Sequence, residues 1–365
     1  MGAPFYKSLL STSVNTLPPL EYLSYQYTNP SLRVHQVNRE LSQNSFLTLG
    51  LNYLNYGEYE AAPSLWARDE EKLNYFAFKQ YFSKDSYYFL GQGINPSLFL
   101  GFDQERKFLN QFFGREESTS PFLNFAKEGS FLGAGKSISR SSSISGAFFS
   151  GKHPDLMYFP NHNKTSSGLV VEYQALLNDQ EISFQSGVLS ESSAMLGSSF
   201  RGAYGGLDDT LTYFSGINSS FVFSNFKLMG SYFHGMSKPN LDQQGMVKDI
   251  TRLTSSSFNL TLYKTGLLTK ADSFGFSVSQ PLKLESGEIN FSLPYRRTVK
   301  KEVLFNDFSA SMEASGRQVD MEFIYSTPIR KGYLRSRIGV SKDQGHISSD
   351  KLQPFFETSW EFVTF

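Results

Sequence analysis

Ser273–Ser279 reads SFGFSVS, a strict two-residue alternation. Phe274, Phe276 and Val278 share one parity; Ser273, Gly275, Ser277 and Ser279 share the other. Successive side chains of a strand point to opposite faces, so this segment has one apolar face and one small or polar face. The same alternation extends outward from it. Ile289, Phe291 and Leu293 come next, then Val319, Met321, Phe323 and Tyr325 against Asp320, Glu322, Ile324 and Ser326. Upstream, Phe226, Leu228, Gly230 and Tyr232 alternate with Lys227, Met229, Ser231 and Phe233. Leu169, Val171, Tyr173, Ala175 and Leu177 oppose Val170, Glu172, Gln174 and Leu176, and Ile182, Phe184 and Val188 continue after the tight Asn178-Asp179 connection, which reads as a hairpin. Leu47, Leu49, Leu51 and Tyr53 repeat the pattern near the start. Breaks such as Ser286-Gly287, Ser315-Gly316 and Lys331-Gly332 separate the segments. Their lengths lie near the roughly 9–11 residues that a tilted strand needs to cross a bilayer, and they number about twelve.

Composition narrows the class. Lys and Arg total 34 and Asp and Glu 34, a balance that argues against binding nucleic acid by general charge attraction. With no cysteine, disulfide frameworks, Cys-ligated metal and thiol nucleophiles are excluded. No run of apolar residues is long enough for a transmembrane helix, which leaves a β-barrel open. Aromatics make up 16% of the chain while all hydrophobics make up 39%, and Gly and Ser accompany them. That mixture suits strands with one apolar and one small or polar face better than the aliphatic core of a soluble domain. Met1–Leu20 lacks a long apolar stretch and carries Pro18-Pro19, so it does not read as a secretory signal; export would need a signal upstream.

A soluble β-sandwich also alternates. Three features favour a barrel: polar faces rich in Ser, Gly, Thr and Gln; tyrosines near segment ends, among them Tyr53, Tyr87, Tyr213, Tyr263 and Tyr333; and a terminal strand, Pro354–Phe365, closing on Phe365. The expected fold is therefore an all-β, antiparallel transmembrane β-barrel over residues 31–365. Residues 1–30, with Pro18, Pro19 and Pro30, read as a linker, and Tyr6–Asn15 is a short helix candidate, as is Asp103–Phe113. Glu58–Glu71, Gly114–Lys127, Lys238–Ile250 and Tyr295–Glu302 read as loops. Lipid-facing positions are expected at Phe274, Phe276, Val278, Ile289, Phe291 and Leu293. A terminal Phe closing an amphipathic last strand resembles the assembly signal of bacterial outer-membrane proteins. That resemblance implies a membrane-assembly signal at Phe365, Val363, Phe362 and Trp360, although the last strand mixes parity, with Glu361, Ser359 and Glu357 falling in step with Val363.

Two stretches resemble a known family. Ser279–Pro294 (SQPLKLESGEINFSLP) and Val188–Gly206 (VLSESSAMLGSSFRGAYGG) are similar to segments of the C-terminal region of secreted subtilisin-like serine proteases. The resemblance covers residues 165–365 well and 30–165 loosely. It implies an autotransporter barrel: the translocator of a type V secretion protein in the outer membrane of a Gram-negative bacterium, exporting an N-terminal passenger. Tyr6–Asn15 would then be a helix in the pore. The implied partners are outer-membrane lipid, the barrel-assembly machinery and the chain's own passenger. Any protease activity would belong to that passenger, so this chain is expected to be no enzyme and to need no cofactor. A stand-alone porin-like channel and a soluble β-sandwich binding module are the alternatives.

Several motifs are decoys. Gly133–Ser137 (GAGKS) lacks the first glycine of a phosphate-binding loop at its required spacing, and Ile138–Phe149 after it alternates instead of forming a helix. His153 and His162, with Asp155 between them, match no metal-ligand geometry. No Gly-x-Ser-x-Gly elbow is present. Arg296, Arg297, Lys300 and Lys301 form a basic cluster that reads as a solvated loop, or as a contact for lipid phosphate if it faces the cell exterior.

Overall fold

A computed structural model of the chain describes residues 14–15, 34–54, 70–94, 96–101, 120–126, 129–152, 165–178, 180–200, 202–224, 226–242, 245–269, 271–329 and 332–362. Among these, helical structure is confined to short 3-10 turns, and the chain is all-β. The strands are β1 (Val14–Asn15), β2 (Val34–Ser42), β3 (Ser45–Leu54), β4 (Glu70–Tyr81), β5 (Ser86–Gln92), β6 (Ser130–Ser139) and β7 (Ser142–Lys152). After them come β8 (Thr165–Leu177), β9 (Gln180–Ser192), β10 (Ser199–Phe200), β11 (Gly206–Phe223), β12 (Phe226–Asp242), β13 (Val247–Ile250) and β14 (Leu253–Thr265). The last are β15 (Ser273–Ser286), β16 (Glu288–Arg297), β17 (Val303–Ser311), β18 (Val319–Ile329), β19 (Gly332–Lys342) and β20 (Gln353–Phe362).

Fifteen strands form one antiparallel meander in the order β2 to β9, β11, β12, β14, β15, β18, β19, β20. β13, β16 and β17 make a separate three-stranded sheet, and β1 pairs with β10. The meander thus exceeds the twelve or so strands that alternation suggests. The difference lies in strands such as β6, SFLGAGKSIS, where two of the inward positions, Gly133 and Gly135, are glycines. A Cβ at Gly133 would collide with the Phe89 ring and one at Gly135 with Tyr87. The large aromatics of the neighbouring strand fill the space that β6's own side chains would take, so the apolar period is lost from the sequence while the strand persists.

Connections alternate in length. At one end are 43–44, 82–85, 140–141, 178–179, 224–225, 266–272 and 330–331; at the other are 55–69, 93–129, 153–164, 193–205, 243–252, 287–318 and 343–352. The edge strands β2 and β20 both run from the long-connection end to the short one. Pairing them directly would be parallel, so an all-antiparallel ring needs one further strand between them, and none of the described strands takes that place.

Three expectations are corrected. Val14 and Asn15, the end of the helix candidate Tyr6–Asn15, are extended and pair with Phe200 and Ser199; the rest of that candidate and all of Asp103–Phe113 lie outside the described residues. Lys238–Ile250 is mostly strand, because β12 continues to Asp242 and β13 covers Val247–Ile250. Tyr295–Glu302 is strand as far as Arg297, with the turn coming after it. In both stretches the polar side chains that suggested a loop stand on outer, exposed positions and leave the backbone free to pair.

The main apolar cluster gathers Ala77, Phe89, Phe131, Ala147, Phe149, Val170, Leu189, Phe214 and Phe233, from β4 through β12, around Phe122, Leu123 and Ala126. The last three belong to a 3-10 turn, Pro121–Ala126, inside the long β5–β6 connection. Phe122 stacks on Phe214 with centroids 5.0 Å apart and planes at 13°. On β12, Gly235 leaves the room that Phe122 occupies. The meander therefore curls around a segment folded against its inner face.

Candidate functional site

The outer face of the meander is apolar and open. Cross-strand registry sets Ile144, Tyr173, Phe184, Ile217, Tyr232 and Phe258 in one row across six strands. The first five are 39–53% exposed. A second row runs Leu228, Leu262, Phe276, Phe323, Ile338 and Phe356, and its last three are 46%, 57% and 72% exposed. Such rows arise because β-strand period and antiparallel registry carry every second residue to the same side.

The opposite parity is buried and largely polar. From β9 to β18 it carries Ser183, Gln185, Asn218, Ser220, Ser257, Asn259, Thr261, Ser277 and Glu322, all buried. Thr261 Oγ1 lies 2.8 Å from Asn259 Oδ1 and 3.0 Å from Ser277 Oγ. Asn218 Oδ1, Ser255 Oγ and Ser257 Oγ have no protein partner, which fits a face wetted by solvent. On β18–β20 the lining is charged: Arg337 Nε sits 2.6 Å from Glu322 Oε2, and its guanidinium lies 4.6 Å from the Phe355 ring centre.

Two inner-face carboxylates tie long connections inward. Glu172, fully buried on β8, accepts from the Gly101 N–H at 2.9 Å and also from Gln185. Glu191 on β9, equally buried, accepts from the Leu196 and Gly197 N–H groups, both at 2.9 Å. Charge-assisted bonds of this kind hold the β5–β6 and β9–β11 connections against the wall.

Each end has its own clasp. In the 266–272 turn, Asp272 accepts from the N–H groups of Leu267, Leu268 and Thr269 and from the Tyr325 hydroxyl. Burial pushes its carboxyl up, and these four bonds outweigh that and hold it below the usual range. At the long-connection end, His346 takes the Gln318 N–H on Nδ1 at 3.0 Å, while its Nε2 lies 3.2 Å from the Leu282 carbonyl oxygen, to which it donates. Burial, reinforced by Lys283 and Arg317, drives the imidazole pKa down to about 4 despite the Leu282 bond. His346 is thus a neutral bridge between the β15–β18 and β19–β20 connections.

Phe274, Phe276 and Val278 stand on the outer face of β15, partly exposed. Ile289, Phe291 and Leu293 lie on β16 in the small sheet, where Ile289 and Phe291 pack against a cluster of Met195, Phe200, Leu207, Val247, Ile250 and Leu253. Trp360 and Phe362 lie in β20, opposite Leu334 and Gly332. Val363 and Phe365 fall outside the described residues, as do His153, Asp155 and His162. Gly133–Ser137 is strand within β6. No cluster of metal-ligating side chains exists among the described residues. Sequence reasoning missed the inward turn at Pro121–Ala126, whose signal was Phe122-Leu123 in a stretch dominated by its neighbouring acidic residues.

No protein-family model matches the chain, and no curated protein does. Among solved structures, it is similar to OmpT, an outer-membrane protein of Vibrio cholerae, at 9% identity and a TM-score of 0.41, covering 88% of this chain and 83% of that one. It is also similar to OprB of Pseudomonas putida at 10% identity and a TM-score of 0.40, covering 86% and 80%.

Proposed function

We propose that the chain is an outer-membrane β-barrel of a Gram-negative bacterium, forming a channel for polar solutes that the inward β5–β6 connection narrows on one side. The observation that carries this reading is the inversion of the two faces: exposed apolar rows outside, buried polar residues within. A soluble β-sandwich has the reverse, since water penalises open apolar area on that scale. Lipid makes the arrangement favourable, and antiparallel pairing satisfies the backbone where no water can. Alternation of short and long connections fits the same reading, with the short turns periplasmic.

A second reading, the translocator of an autotransporter, is favoured by the two segments resembling subtilisin-like proteases. Ser279–Pro294 does run as strand, Gly287 turn, strand, although its second strand belongs to the small sheet. In either reading, insertion would depend on the barrel-assembly machinery.

Cell fractionation with boiled and unboiled gel samples tests the barrel. The expected result is an outer-membrane band that shifts on boiling; a soluble band without a shift overturns it. Reconstitution in planar bilayers then separates the two readings. Stable solute conductance from a product of about 41.2 kDa supports the channel. A much larger precursor that releases a passenger supports the translocator.

A further inference from the structure

Between the end of β12 and β13, a cleft of about 340 Å³ is lined by Lys238, Asn240, Lys248, Asp249 and Arg252, with Pro239, Leu241 and Ile250. Lys238 and Asn240 are exposed on the outward parity of β12, while Pro239 and Leu241 are on the inward one. Lys238 pairs in register with Leu211 and succeeds Tyr232 and Met236 on the outward parity of β12. The cleft therefore sits at the long-connection end of the meander, and its Lys238 side continues an outer apolar surface that includes Leu211, Tyr213, Tyr232 and Met236, which are 37–56% exposed. Three cations face it and one carboxylate, Asp249. Among the described residues, none of the three cations is in an ion pair.

We propose that this cleft binds the phosphorylated headgroup of an outer-leaflet lipid, whose acyl chains lie along the apolar rows beneath. Three unpaired cations around a concave site supply the charge complement for phosphate. Continuity with the apolar wall distinguishes a lipid from a free anion, which would gain nothing from that surface. Lys248 and Arg252 come from the β12–β14 connection and Lys238 from the wall, so a bound headgroup would also fasten that connection to the barrel. The inference rests on the membrane reading of the chain and adds a ligand class and a site to it.

The test uses the full chain purified in neutral detergent. Binding is measured by thermal shift and by titration with three probes: a phosphorylated glycolipid, the same lipid dephosphorylated, and inorganic phosphate. The expected order is phosphorylated lipid far ahead of the other two. Replacing Lys238, Lys248 and Arg252 together by Gln should weaken it roughly a hundredfold, given the usual attraction of each surface cation to an anionic leaflet. Asp249→Asn should tighten binding a few-fold, which a general loss of folding would not do.

Equal affinity for the phosphorylated and dephosphorylated lipid overturns the proposal, as does unchanged binding by the triple variant. Inorganic phosphate binding as tightly as the lipid overturns it in favour of a free-anion site. The shift on boiling, read on the same samples, separates failures: a protein that shifts yet ignores the headgroup sinks this site alone, and one that does not shift sinks the barrel with it. Should the triple variant lose the shift, Lys248→Gln and Arg252→Gln singly, both on exposed positions, carry the same test with smaller losses.

Discussion

The inner faces of β4–β9 and of β14–β20 come from one alternating pattern and end in opposite chemistry. Against the first lies Pro121–Ala126, in one apolar cluster with Ala77, Phe89, Phe131, Phe149, Val170 and Leu189. Among the described residues no such turn lies against the second, which packs on the small sheet only at its long-connection end, through Leu253 and Leu284, and otherwise carries Ser257, Asn259, Thr261, Ser277, Asp320, Glu322 and Arg337. Inside-facing residues answer to whatever occupies the space they enclose. Where a folded connection fills that space they become a core; where no described segment fills it they form a hydrophilic lining. The outer rows are apolar over both halves, as one surrounding solvent would require.

The largest effect should come from removing the contact that defines the filled half. Phe122→Ala takes a fully buried ring out of a close-packed cluster and should cost about 3–5 kcal/mol. The temperature at which the unboiled gel band is lost should fall accordingly, and bilayer conductance should rise as the connection loosens. Phe355→Ala, on the half-buried inner face of β20, should change either quantity far less. Equal losses would mean that both halves are packed alike.

The two faces differ next. Phe276→Lys places a charge in an outer apolar row and should cost about 2–4 kcal/mol if the row meets the bilayer midplane. Ser277→Lys, one residue on, points inward and stands opposite Glu322, so its loss should be much smaller. Urea-driven unfolding in lipid vesicles measures both, and parity of the two costs would reverse the assignment of faces.

Acid should act on the open half first. His346 has its pKa held below that of an unfolded imidazole, so its contribution is complete above about pH 6.5 and is lost as pH falls toward 4. By pH 5 the loss amounts to about 2 kcal/mol. Protonation also removes the Nδ1 acceptor for the Gln318 N–H. Hydrogen exchange at Gln318 and Gly345, whose N–H donates to the Gln318 side chain, should quicken between pH 7 and 5, and His346→Asn should flatten that dependence.

How much of this was legible depended on which side of a strand carried the signal. The outer parity announces itself, because lipid or any apolar surrounding demands Leu, Phe and Ile at every second position; Phe274, Phe276 and Val278 were readable for that reason. The inner parity has no fixed alphabet: Val170 and Glu172 are neighbours on one face of β8, one inside the apolar cluster and one holding Gly101. Nor does alternation reveal which sheet a strand joins. Ile289, Phe291 and Leu293 alternate as cleanly as Phe274–Val278, yet β16 leaves the meander, because registry with β13 is decided by contacts far away in the chain. The turn at Pro121–Ala126 has no period at all, and only its position beneath Phe214 and Gly235 gives it meaning.

A reciprocal exchange probes the contrast at its finest. Val170 is fully buried in the filled half, whereas Thr261 is buried in the open half with Asn259 and Ser277 as partners. Val170→Thr brings a hydroxyl among apolar side chains and should cost about 1–2 kcal/mol. Thr261→Val forfeits a hydrogen bond beside a face that water can reach, so its cost should be about 1 kcal/mol or less. Combined, the two changes should add, since the residues lie in separate clusters. Unfolding midpoints in matched lipid give all three values. A larger cost at Thr261 than at Val170 would show that the open half is held by its polar network as firmly as the filled half by its core, and the distinction between lining and core would fail there.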